Sequence, residues 1–145
     1  MEKGVILNSI DLFDATCAKV LAQLYSQFPL EIEEFRDHCL GLYDQQSISD
    51  ETNRKIKAVN QSIVFLKQNG YISYYGWEGH DTGIPKYNMK LTAKGLEKLR
   101  STPDGLVGND DDLGSALAKR VQSLKNLSVD EVVKNLVKAV FTGGA

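Results

Sequence analysis

The stretch that decides the fold is residues 59–99, which read VNQSIVFLKQNGYISYYGWEGHDTGIPKYNMKLTAKGLEKL. An apolar pattern at helical spacing begins just before this stretch and continues into it, with Ile56, Val59, Ile63 and Leu66. Gly70 then interrupts the pattern, and glycine readily takes the positive φ of a helix end. The spacing predicts a long helix from about Ser49 to Gly70.

Strand signals follow that helix. Residues 71–75 are rich in aromatic side chains, and residues 86–91 alternate between apolar and polar. The connection between them, 76–85, contains three glycines. We therefore expect an antiparallel hairpin, followed by a closing helix that Thr92 caps and that continues to Leu99.

Two helices are expected before this stretch. The first begins after Asn8 or Ser9 and buries Phe13, Cys17, Val20, Leu21, Leu24 and Phe28. It ends at Pro29. A second, shorter helix is predicted from the spacing of Ile32, Phe35, Cys39 and Leu42, with acidic residues in its first turn.

The chain divides into a domain at 8–103 and a C-terminal helical hairpin at 110–142. Three aspartates, 110–112, precede the hairpin's first helix, where negative charge is favoured. Ser128 and Glu131 match the S-x-x-E capping box at the start of its second helix. The fold class is thus mostly α with a small antiparallel β-hairpin.

The hairpin's second helix places six Val or Leu residues at helical spacing: Val129, Val132, Val133, Leu136, Val137 and Val140. A terminal helix cannot leave so much apolar surface in water, so it docks on the preceding domain or on another subunit. Dimerisation is the economical arrangement, and we expect a homodimer through the C-terminal helices.

Composition limits the class of protein. The chain has 145 residues, is 42% hydrophobic and carries a net charge of −2. Neither a signal peptide nor a long apolar span is evident, which favours a cytoplasmic protein with no membrane contact. Positive charge is concentrated at 50–101, where 9 basic residues face 5 acidic ones.

The pattern Val59-x-x-x-Ile63-x-x-Leu66-x-x-x-Gly70-Tyr71-Ile72, followed by a hairpin and Leu91-Thr92-x-x-Gly95-Leu96, resembles the winged helix-turn-helix superfamily, particularly bacterial regulators of the MarR and PadR type. The resemblance covers residues 8–103, with the β-hairpin as the wing. It implies a DNA-binding transcriptional regulator in which Asn60 and Gln61, just after the matched Val59, face DNA.

The residues themselves support the same helix face. A helix in the major groove needs Arg, Lys, Asn or Gln to bond base edges. At 100° per residue Arg54, Lys57 and Gln61 lie opposite the apolar stripe, with Asn60 at its flank. Lys86 and Lys90 are expected near the DNA backbone. The alternative for the helix residues is an ordinary solvated face.

A second hypothesis is a protein–protein interaction module of the same fold, without DNA binding. Tyr74, Tyr75 and Trp77 cluster at the start of the wing, where they anchor a protein partner or pack the base of the wing. Aromatic residues are ordinary strand formers, which favours packing.

Catalysis and metal binding are not expected. Cys17, His38, Cys39 and His80 lack the paired spacings of zinc ligands, and His38 points about 100° away from Cys39 on a helix. The sequence contains no P-loop and no GxGxxG, so we expect no cofactor.

Overall fold

The computed structural model describes residues 9–35, 50–75, 87–102, 111–124 and 129–142. These residues form five helices and three strands: α1 (Ser9–Gln27), β1 (Ile32–Phe35), α2 (Asp50–Gln68), β2 (Ile72–Tyr75), β3 (Tyr87–Leu91), α3 (Ala93–Leu99), α4 (Leu113–Gln122) and α5 (Glu131–Thr142). The described part of the chain is therefore mostly helical with a small antiparallel sheet.

The sheet has three strands in the order β1-β3-β2. β2 and β3 form the expected hairpin, in which Ile72 pairs with Leu91 and Tyr74 with Met89. Met89 and Leu91 are buried, and they direct this side of β3 toward α1.

β1 occupies the start of the predicted second helix, and the prediction of a helix is wrong for residues 32–35. Ile32 pairs with Met89 and Phe35 with Tyr87, so three steps along β1 oppose two steps along β3. A bulge of this kind places two apolar residues three apart, which is also the spacing of a helix. Pairing with β3 makes this segment a strand and not a helix. Cys39 and Leu42 lie outside the described residues.

α1 is the centre of the fold, since α2, α4, α5 and β3 all contact it. Its buried residues extend well beyond the one face that the sequence predicts: Leu12, Ala15, Thr16, Cys17, Ala18, Val20, Leu21, Ala22 and Leu24. A helix that is apolar on most of its surface is one that other elements surround.

The turn after α2 is closed by residues of α3. Gly70 has φ 84°, as expected of the residue that ends this helix. Thr92 caps α3 as predicted: its hydroxyl accepts a hydrogen bond from the Gly95 amide at 3.0 Å and donates one to the Gly70 carbonyl. The Lys94 ammonium donates to the Asn69 carbonyl at 2.8 Å. Thr92 and Lys94 thus hold the end of α2 through hydrogen bonds to the carbonyls of Gly70 and Asn69.

The C-terminal hairpin docks on α1 of the same chain. Its apolar residues Leu113, Leu117, Val133, Leu136, Val137 and Val140 belong to one cluster with the buried residues of α1. The expected homodimer depended on an uncovered apolar face, and this packing covers most of it, although Val132 remains 46% exposed. Association through these helices therefore stays a prediction without that support.

Caps define both helices of the hairpin. Asp112 accepts a hydrogen bond from the Ser115 amide at 2.8 Å, in agreement with the aspartates expected before α4. At α5 the side chain of Asp130 accepts a hydrogen bond from the Val133 amide at 2.9 Å, whereas Ser128 of the predicted capping box lies outside the described residues. Asp130 lies directly before the first helical residue, which is the position where a side-chain oxygen reaches an unpaired amide.

Candidate nucleic-acid interface

α2 has a buried side and a polar, solvent-facing side. Val59, Ile63 and Leu66 are at most 2% exposed and hold the helix against α1. Lys57 and Gln61 are exposed on the opposite side, one helical turn apart. The separation of polar and apolar residues that the helical spacing predicts is therefore present.

The other predicted residues of α2 are less exposed. Arg54 and Asn60 are half-buried. The side chain of Ile56, expected on the inner stripe, lies outside the described residues. α2 thus brings Lys57 and Gln61 to its exposed surface, with Arg54 and Asn60 beside them.

Lys90 belongs to a different surface. It is exposed on β3, where it pairs with the exposed Ser73 on the side of the sheet opposite to Met89 and Leu91. The predicted backbone contact of Lys86 falls outside the described residues. The structure consequently groups Lys57 with Gln61 and leaves Lys90 on the solvent side of the sheet.

Cations differ in their pairing between the two halves of the chain. In the hairpin, Lys119 contacts Asp111 at 3.0 Å, Arg120 contacts Asp130 at 2.8 Å, and Lys134 contacts Asp11 at 3.1 Å. Among the residues that the structure describes, Lys57, Lys67 and Lys90 form no ion pair with a carboxylate. In the described residues, three cations of the hairpin are thus paired with aspartates, whereas Lys57, Lys67 and Lys90, and also Lys138 of α5, are not.

The wing aromatics are described only in part. Tyr74 is half-buried, and the Lys67 ammonium lies 5.2 Å from the centre of its ring. This contact joins β2 to the end of α2, which fits the packing interpretation of Tyr74. The side chain of Tyr75 and all of Trp77 lie outside the described residues.

An aromatic cluster, formed by Phe13, Phe65, Tyr71 and Phe141, was not anticipated. Phe65 meets Phe13 edge-on with ring centres 5.0 Å apart, and Phe141 with ring centres 5.5 Å apart. Phe141 also contacts Phe13 at 5.8 Å and Tyr71 at 5.2 Å. One sequence signal was available, because Phe65 is an aromatic residue outside the apolar stripe of α2. In the structure Phe65 is 38% exposed.

Three further observations concern the cysteine, the possible metal ligands and the helices of the described ranges. Burial, followed in importance by the nearby Asp14, raises the pKa of the Cys17 thiol well above its usual value, which keeps it a neutral thiol. No group of three or more His, Cys, Asp or Glu side chains in the described ranges is arranged to hold a metal ion. None of the helices described is long and apolar enough to cross a bilayer.

Comparisons with protein-family models, with curated proteins and with solved structures found no match to this chain. The function of the chain is therefore inferred from the geometry of α2 and from the charges around it.

Proposed function

We propose that this chain is a winged-helix protein that binds double-stranded DNA through α2 and acts as a transcriptional regulator. The observation that carries the proposal is the exposed face of α2, on which Lys57 and Gln61 project opposite the buried Val59, Ile63 and Leu66. The order of α2, the β2–β3 hairpin and α3 is the one that the winged-helix resemblance requires.

The chemistry of this face suits a major groove. A lysine ammonium can bond guanine O6 and N7 or a phosphate oxygen, and a glutamine amide can bond both N6 and N7 of adenine. Lys57 and Gln61 therefore combine a cationic contact with a base-reading amide, and Asn60 adds a second amide at the margin. A helix fits into the major groove with such side chains leading.

The pairing of charges supports the same orientation. DNA attracts cations whose charge is not already balanced, because binding releases the counterions condensed on the phosphates. Lys57 and Lys67 meet this condition, whereas Lys119 and Arg120 of the hairpin are held by aspartates. The duplex is therefore expected on the side of α2 that presents Lys57 and Gln61.

The test is the salt dependence of binding to a fluorescently labelled random duplex, measured by anisotropy. Affinity should fall steeply with added salt, and Lys57→Ala should reduce the slope of log K against log salt by about one unit. Lys119→Ala is the matched control, since Lys119 is an exposed lysine of α4 paired with Asp111 at 3.0 Å and should leave the slope unchanged.

Two results would overturn the proposal. The first is an absence of duplex binding by the parent protein even at low salt, which would favour the interaction module without DNA binding. The second is an equal change of slope in Lys57→Ala and Lys119→Ala, which would mean that α2 is not the binding face.

A further inference from the structure

We propose that the C-terminal helix α5 positions α2 for DNA, through the contact of Phe141 with Phe65. This inference rests on the proposed function, because it concerns how the DNA-facing helix is held. It adds a residue that touches no nucleic acid in the proposed arrangement and that lies far from Lys57 and Gln61 in sequence.

The aromatic cluster fixes the flank of α2 from two sides. Phe65 is held by Phe13 of α1 and by Phe141 of α5, with both rings nearly perpendicular to its own, at 87° and 79°. Edge-to-face pairs of this kind have a preferred geometry, so they limit how the ring can turn. Phe141 also contacts Tyr71, which follows the Gly70 turn, and so contacts α2 and its exit together.

Phe65 lies one turn after Gln61, on the margin of the exposed face. Rotation of α2 about its own axis would carry Phe65 and Gln61 together, since both belong to one rigid helix. At a radius of about 5–6 Å, a rotation of about 10° moves a side chain on that face by about 1 Å. Such a shift is large for a bidentate amide contact to adenine, which needs two hydrogen bonds of normal length at once.

α5 has other attachments that do not involve α2. Lys134 near its start contacts Asp11 of α1 at 3.1 Å, and Val133, Leu136 and Val140 are buried in the cluster that includes α1. Shortening Phe141 should therefore leave α5 docked. The change removes the ring contact between Phe141 and Phe65, which restrains the flank of α2.

The experiment is a double-mutant cycle on duplex affinity with Phe65→Leu, Phe141→Leu and the double variant, each folded at the assay temperature. Each single change is expected to weaken binding by about two- to thirtyfold, the range for residues that act through others. The double variant should be weaker than the parent by less than the product of the two single losses. Phe141→Tyr retains the ring and should bind like the parent.

Two readouts separate positioning from a general loss of stability. The salt slope of Phe141→Leu should equal that of the parent, because Phe141 contacts no phosphate, whereas Lys57→Ala lowers it. Val121→Ala on α4 removes packing from a half-buried residue outside the aromatic cluster and should keep the parent affinity. This inference alone would be overturned if Phe141→Leu bound duplex like the parent. It would also be overturned if the loss of affinity in the double variant equalled the product of the two single losses. Absence of duplex binding by the parent would overturn the proposed function and this inference with it.

Discussion

Gly95→Ala should destabilise the protein, although helix propensity predicts the opposite. In an ordinary helix alanine is about 1 kcal/mol better than glycine. Here a Cβ at position 95 would lie 2.1 Å from the carbonyl oxygen of Tyr71 and 3.2 Å from a methyl carbon of Leu91. The first atom is backbone, so it cannot turn aside as a flexible side chain would.

The size of the effect follows from the movement required. The Tyr71 oxygen must retreat by about 1 Å to reach an ordinary contact, and it accepts the hydrogen bond from the Thr92 amide at 3.2 Å. Overpacking that shifts backbone costs about 1–3 kcal/mol, and a weakened hydrogen bond adds about 1 kcal/mol. After the gain in propensity, the free energy of unfolding should fall by about 2 kcal/mol. For a chain of this size that lowers Tm by about 4–8 °C.

The measurement is urea unfolding followed by circular dichroism, with thermal unfolding as a second measure. Glu97→Ala, on the exposed side of the same helix, is the control and should change stability by at most about 0.5 kcal/mol. A Gly95→Ala protein as stable as the parent, or more stable, would refute the argument that α3 needs this close approach to Tyr71.

Two further predictions concern hydrogen bonds that join distant elements. Thr92→Val removes the cap of α3 and the bond to the Gly70 carbonyl and should cost about 1–2 kcal/mol in urea unfolding, whereas Thr92→Ser should retain most of the stability. Burial, and then the hydrogen bond that Tyr25 donates to Asp112, raises the pKa of Tyr25 from 10.0 to about 12. Because folding raises this pKa, its contribution is fully present below pH 10 and is lost as the pH rises toward 12. Tyr25→Phe should therefore lose less stability than the parent over that interval, and an identical loss in both proteins would contradict the assignment.

Signals within a short stretch of sequence were sufficient to predict a helix, its end or its cap where several of them agreed. The apolar stripe of α2 and Gly70 predicted that helix to within one or two residues of its observed bounds, Asp50–Gln68. Thr92 was predicted as a cap because its side chain acts on residues only three positions away. The outward direction of Lys57 and Gln61 follows from the same helical angle.

Features that depend on contacts distant in sequence were not predictable in this way. β1 forms because β3, more than 50 residues later, supplies its pairing partners, and the bulge disguises the strand as a helical pattern. The aromatic cluster joins residues 13, 65, 71 and 141 from three helices and a turn. No spacing rule relates residues so far apart. The exposed face of α2 was therefore predictable from the sequence, whereas the aromatic contacts that hold α2 were not.

The burial of the hairpin bears on what kind of partner remains. Had the apolar face of α5 been free, hydrophobic association with another subunit would have been the leading expectation. Instead that face is used on α1, and the exposed large apolar side chains in the described ranges, Ile10, Phe28, Leu30, Phe65 and Val132, are distributed over several elements. In the described ranges Lys57 and Lys67 of α2 and Lys90 of β3 form no ion pair, and these cations favour a polyanionic partner held by charge. By docking on α1, the hairpin also brings Phe141 to Phe65, so that the same packing which covers its apolar face also restrains the helix expected to meet DNA.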